Sequence, residues 1–207
     1  MLYLEPSEYE QYGLEPTTSE AMVRAASALI DSLCRRPSLG ITQFTERVRV
    51  APGAARARLA YLPLCAAEGA SSPIVQIRVR YGAADQMAGD ALGFDFARAF
   101  GLTGSWVDVD ITKVECREET GEIILPLQVL GLDYLEAEIT YTAGFATVPD
   151  TVKLACAQLV RNAEATPALN VRRTTLDSMQ MEYFRDSVVD DTITHLVAPY
   201  VAMRLGA

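Results

Sequence analysis

One change of rhythm limits what this chain can fold into. Its apolar residues recur at helical spacing near the start, alternate through the middle, and return to helical spacing afterwards. Val23, Ala26, Ile30 and Leu33 make a single stripe, which predicts a helix over residues 18–35. Pro16 and Thr17 announce its start, and Glu20 stands three residues after Thr17, the spacing of a capping box. Arg35, Arg36 and Pro37 mark its end.

From Ile41 the period is near two for about a hundred residues, the mark of half-buried antiparallel strands. Phe44, Val48 and Val50 oppose Thr45, Arg47 and Arg49, and Pro52 with Gly53 supplies a turn. Val75, Ile77, Val79 and Tyr81 are expected on one side of the next strand, with Gln76, Arg78 and Arg80 on the other. Val107, Val109 and Ile111 alternate with Asp108, Asp110 and Thr112, then the phase slips at Val114 and Cys116. Leu135, Ala137, Ile139 and Tyr141 alternate most clearly of all, against Glu136, Glu138, Thr140 and Thr142. Between the strands, Gly82 to Gly104 reads as an ordered loop or a helical excursion built on Leu92, Phe96 and Phe100.

After Gly144 the helical period returns. Pro149 suits a first helical position, and Asp150 suits the positive end of the helix dipole. Val152, Ala155, Cys156, Leu159 and Ala163 form the stripe, and Thr166 with Pro167 stops it. An extended arm follows, in which Met179, Met181 and Tyr183 alternate with Gln180, Glu182 and Phe184, so both its faces carry bulky apolar groups. A final helix is expected from Asp190 or Asp191 to about Arg204, with Ile193, Leu196, Val197, Tyr200 and Val201 on one face. Pro199 falls inside it, where proline costs about 3 kcal/mol unless something compensates. The expected fold class is α+β. A small helical bundle, the N-terminal helix plus two C-terminal helices, carries a long antiparallel β insertion between helices one and two. The domains would be a helical part at 1–38 with 147–207 and a β-rich part at 39–146.

Composition narrows the function. Half of the 207 residues are apolar, enough for real cores, and the net charge of -9 argues against a module that wraps duplex phosphate. Residues 1–12 carry neither a basic region nor a sustained apolar run, and no apolar run reaches the ~18 residues of a membrane span, so a soluble protein without a signal peptide is expected. Cys34, Cys65, Cys116 and Cys156 are scattered without a Cys-x-x-Cys pair, which reads as four buried thiols.

Chemistry is sparse. The one histidine, His195, sits four residues before Pro199, where it can bond carbonyls freed by the proline. A single histidine, with no Cys-x-x-Cys pair, argues against a zinc site, and no cofactor is expected. Asp108 and Asp110, followed by Glu115, Glu118, Glu119 and Glu122, invite paired-carboxylate catalysis or calcium binding. Their spacing is not that of a helix-loop-helix calcium site, and Glu118 to Gly121 reads as a hairpin turn, so a solvated acidic face is the expectation. Gly101 and Gly104 lack the Gly-Lys-Ser or Gly-Lys-Thr of a phosphate loop. The doublets Arg35-Arg36 and Arg172-Arg173 read as solvated ends or as an anionic-partner surface.

The most informative stretch is Tyr141-Thr142-Ala143-Gly144-Phe145, followed by Val148-Pro149 and a helix. A strand ending this way before a proline-opened helix resembles the head-to-tail connector, or adaptor, proteins of tailed bacteriophages. Gly121-Glu122-Ile123-Ile124-Leu125-Pro126 and the ending Leu196-Val197-Ala198-Pro199-Tyr200 are similar to that family as well. The similarity covers about residues 15–37 and 139–205, and the β insertion departs from the shorter family members.

The resemblance implies a virion structural protein and not an enzyme. It implies a homo-oligomeric ring, commonly twelvefold, assembled in the host cytoplasm between the portal protein of the head and a tail or tail-terminator (stopper) protein. DNA would pass through its centre without sequence-specific binding, and no membrane is involved. An acidic ring wall fits that passage, because it repels phosphates. Expected subunit and portal contacts are Leu176, Met179, Met181, Tyr183 and Phe184 of the arm and Leu196, Pro199, Tyr200 and Arg204 of the last helix, unless these close the monomer's own core. The family motif residues are Tyr141, Gly144, Phe145 and Pro149. Two other readings stay open: a head- or tail-completion protein at another level of the neck, and a small-ligand or enzymatic β module around Asp108 and Asp110.

Overall fold

Helix α1 (Glu20–Leu33) forms where the apolar stripe predicts, and it buries Val23, Ala26, Ser27 and Ile30. The structure is a computed structural model describing residues 1–51, 53–81, 95, 99–101, 104–126, 133–165, 173–176, 179–182 and 188–202. Within it the chain divides into two units, Met1–Gly40 with Thr147–Ala202, and Ile41–Ala146.

In the first unit α1 packs on α2 (Asp150–Ala165), and α2 packs on α3 (Asp191–Val197). Val152, Ala155, Cys156, Leu159 and Val160 of α2 are at most 1% exposed, and each large apolar side chain so buried stabilises by roughly 1.5–3 kcal/mol. The capping box is not formed. Thr17 Oγ1 donates to Glu15 Oε2 at 3.3 Å, and α1 starts from Ser19 without a side-chain cap. The N-terminal segment contributes to this core, with Tyr3, Leu4 and Tyr9 nearly inaccessible. The Tyr3 N–H donates to Ser27 Oγ, its hydroxyl donates to Asp31, and the Leu39 N–H donates to that hydroxyl at 2.9 Å.

The last helix is shorter than its periodicity suggests. It ends at Val197, and Ala198–Tyr200 is one 3-10 turn with Pro199 in its first positions. There the missing amide hydrogen costs nothing, so no helix bend needs compensating.

The second unit holds two antiparallel sheets. Strands β1 (Thr42–Arg49), β3 (Ile74–Tyr81), β4 (Trp106–Asp108) and β7 (Tyr134–Ala143) form one in the order β1-β7-β3-β4. Strands β2 (Arg56–Arg58), β5 (Glu115–Arg117) and β6 (Glu122–Ile124) form the other in the order β2-β6-β5. Ile77, Val79, Ile123, Ala137, Ile139 and Tyr141 are fully buried, so the strands have a core of their own. Phe44 stacks on Tyr61 with ring centroids 4.1 Å apart.

The expected small helical bundle with one β insertion is therefore wrong. Among the described residues the chain is a mixed α and β protein of three helices, two antiparallel sheets with seven strands and a further two-stranded ribbon, and its strands bury a core of their own. The physical reason is that the middle segment closes its own two-sheet core, while the proline shortens the last helix.

Two local expectations also fail. A register shift between Ile74 and Gln76 turns Val75 outward, 51% exposed, and buries Ile74 in its place. The strand expected through Asp108 and Asp110 stops at Asp108, a 3-10 turn covers Ile111–Lys113, and Glu115–Arg117 joins the other sheet. Beyond the two sheets, β8 (Arg173–Leu176) and β9 (Met179–Glu182) pair with each other as a ribbon. Leu92 and Phe96 of the Gly82–Gly104 excursion lie outside the described residues.

Candidate functional site

The motif Tyr141–Phe145 forms the end of β7 and the passage toward α2. Tyr141 is fully buried, and its hydroxyl accepts from the Tyr61 N–H at 3.2 Å. Burial, reinforced by the charge of Glu46, holds its phenol protonated far above the usual range. Thr142 Oγ1 donates to Cys65 O at 2.6 Å, and the Thr142 N–H donates to Pro73 O. Gly144 follows at φ 132°, a conformation that disfavours any side chain, while its N–H donates to Pro63 O at 3.0 Å. Pro149 O then accepts from the N–H groups of Val152 and Lys153, which opens α2. Three of the motif residues, Tyr141, Gly144 and Pro149, thus have a mechanical part: a buried anchor, a turn that glycine permits, and a helix start. Phe145 is half-buried beside them.

The solvent-facing side of the four-stranded sheet carries a charged ladder. Arg47 and Glu138 are opposite each other on β1 and β7, and Arg78 of β3 and Asp108 of β4 continue the row. Arg47 Nε donates to Glu138 Oε2 at 2.7 Å, and Arg78 donates to Glu138 Oε1 from two nitrogens. The Arg78 hydrogen bond, then that of Arg47, holds the Glu138 carboxyl below the usual carboxylate range. Both guanidiniums lie over the ring of Trp106, at 5.4 and 5.8 Å from its centroid.

The carboxylates singled out from the sequence do not converge. Asp108 accepts from Gln76 Nε2 at 2.9 Å. Asp110 caps the next turn, accepting from the Thr112 N–H and hydroxyl, and these bonds lower its pKa. Glu122 lies between Arg56 and Arg117 at 3.2 and 3.1 Å. Among the described residues no three His, Cys, Asp or Glu side chains form a group that could hold a metal. An open groove of about 340 Å³ runs beside Arg56, Arg58, Thr120 and Glu122.

Of the expected contact residues, Leu176, Met179 and Met181 lie on the β8–β9 ribbon, while Tyr183, Phe184 and Arg204 lie outside the described residues. Leu196 and Tyr200 are half-buried and Pro199 is exposed. Thr151 Oγ1 and Tyr200 Oη share a 2.6 Å hydrogen bond, so Tyr200 also closes the first unit. His195 is exposed at the end of α3. Cys34 and Cys156 are buried, but Cys65 and Cys116 are only half-buried, contrary to the expectation of four buried thiols.

No protein-family model matches this chain, and no curated protein matches it.

Proposed function

We propose that this chain is a connector subunit of a tailed-phage neck, which forms a ring joining the portal of the head to the tail and lets DNA pass through the centre. The observation that carries this reading is the junction after β7. Tyr141 is locked in the core, Gly144 takes a backbone conformation that excludes other residues at low cost, and Pro149 opens α2. These are three of the four residues on which the resemblance to connector proteins depends, and each has a defined structural task here. An acidic chain of net charge -9 suits a channel that DNA must slide through.

The test is native mass spectrometry of the full chain mixed with a portal ring, with electron microscopy of the same sample. The reading expects a closed ring of this chain stacked on the portal. A chain that stays monomeric beside an intact portal ring, at concentrations well above those in an infected cell, sinks it.

A further inference from the structure

The solvent-facing side of the four-stranded sheet alternates in sign strand by strand. β1 carries Arg47 and Arg49, β7 carries Glu138 and Glu136 across from them, β3 carries Arg78 and Arg80, and β4 carries Asp108. In the row Arg47, Glu138, Arg78, Asp108 each inner charge lies between two of the opposite sign, and the two edges of the sheet end on opposite signs. Arg49 is left over. Glu136, its cross-strand neighbour, binds Arg80 at 3.6 Å, and among the described residues Arg49 is exposed and makes no ion pair.

Both edges are open in their backbone as well. The Val50 N–H donates to Leu135 O at 2.9 Å, and bonding residues alternate along an antiparallel ladder. Val48 and Val50 therefore turn their backbone groups toward β7, and Arg47 and Arg49 turn theirs outward. At the other edge the Val109 N–H donates to Ile77 O at 2.9 Å, so Val107 and Val109 bond to β3 and Asp108 turns its groups outward. Among the described residues no backbone group meets those of Arg47, Arg49 or Asp108. Val48, Val107 and Val109 are half-buried on the face that bears Ile77 and Val79, which leaves apolar surface at each edge.

We infer that β4 of one copy adds antiparallel to the open edge of β1 in a second copy, with Arg49 opposite Asp108 and Val48 opposite Val109. In that register outward backbone meets outward backbone, and the sign alternation of the sheet runs on from one copy to the next. Arg49 gains the carboxylate it lacks, and Arg47 falls opposite Asp110. Val50 falls opposite Val107, so apolar meets apolar on the inner face. Sliding β4 by one residue turns outward backbone against groups already bonded within a sheet. Sliding it by two toward the start of β1 sets Val109 beside Glu46 and gives Asp108 to Arg47, which Glu138 already binds. Each copy gives one edge and receives the other, so the contact is head-to-tail, as a ring requires. β4 is short, and copies seated side by side on a portal strengthen so brief a pairing by raising each other's effective concentration. The pairing rests on the self-association in the proposed function, and not on the phage setting.

Within one chain β1 and β4 stand three strand spacings apart, roughly 14 Å, so a disulfide between them joins two copies. Two tagged forms of the full chain, one Val48→Cys and the other Val109→Cys, are mixed with a portal ring and oxidised mildly, and the disulfides are mapped by peptide mass spectrometry. The 48–109 product should exceed by about tenfold the 48–107 product made with Val107→Cys, which reports the register slipped by two. Arg49→Glu in the first form should cut the yield about tenfold, and Asp108→Arg in the second should restore it. Arg49→Pro serves as a second variant. It removes an N–H that points away from the sheet, so the melting temperature should hardly move while the cross-link is lost. An excess of the 48–107 product, or copies that associate with neither, overturns the strand pairing and leaves the ring standing. Copies that never associate, even with portal present, overturn both.

Discussion

Gly121 adopts φ 66°, and a Cβ placed there would lie 2.6 Å from Leu62 Cδ2 and 3.4 Å from Leu59 O. Gly69 has a similar φ of 81° but nothing within 4 Å. Both pay the left-handed backbone cost of about 1–2 kcal/mol when a side chain is added, and Gly121 adds a clash. Gly121→Ala should therefore destabilise by roughly 2–3 kcal/mol and Gly69→Ala by only about 1, as read from urea unfolding midpoints. The thiols differ as sharply. Cys34 and Cys156 are buried and Cys65 and Cys116 half-buried; burial pushes the Cys34 thiol up to about 11 and raises those of Cys156 and Cys116. A thiol reagent at pH 8 should label Cys65 and Cys116 in the native protein and reach Cys34 and Cys156 only on unfolding. Rapid native labelling of Cys34 would contradict the packing of α1. Neither distinction is visible in the sequence, where all four cysteines sit in comparable apolar surroundings.

At the scale of elements, the two helix starts that begin from a side-chain-capable residue are not equivalent. Asp190 Oδ1 accepts the Ile193 N–H at 2.8 Å at the head of α3, whereas Ser19 makes no side-chain bond at the head of α1. Asp190→Ala should cost about 1 kcal/mol, and Ser19→Ala should stay within a few tenths, by thermal unfolding. Equal losses would mean that the α1 cap forms in solution. The helical stripes of α1 and α2 and the alternation of β7 could be read directly, because each repeats one period over three or more turns or pleats against one buried face. The last helix and the strand at Asp110 could not. Pro199 ends one hydrogen-bond ladder, and the chain leaves one sheet for the other after Asp108, although the apolar pattern runs on in both places.

Across the whole molecule, each unit contains a buried tyrosine whose phenol is pushed upward. Burial and then the Asp31 hydrogen bond act on Tyr3, and burial and then the Glu46 charge act on Tyr141. Folding favours the protonated phenol, so this stability is whole below the unfolded-state pKa of about 10 and declines as pH rises above it. Chemical unfolding between pH 8 and 11 should show falling midpoints from about pH 10 upward in both units, followed by hydrogen exchange of α1 and of β7. A flat midpoint across that range would show that these hydroxyls reach water. On the acid side Glu8, held low first by its hydrogen bond from Lys153, and Glu138 lose their contribution as pH falls below about 4, the ordinary glutamate range.

The sequence by itself determined the helical stripes of α1 and α2 and the alternation of β7, because a 3.6-residue or two-residue apolar period survives only if one face is buried. It also placed the Tyr141–Pro149 junction. The tertiary structure alone decided that the strands close a core of their own, that Val75 faces out, and that Asp108 and Asp110 part company. Those outcomes depend on which strands pair and in what register, and a register shift of one residue reverses every face while leaving the sequence unchanged.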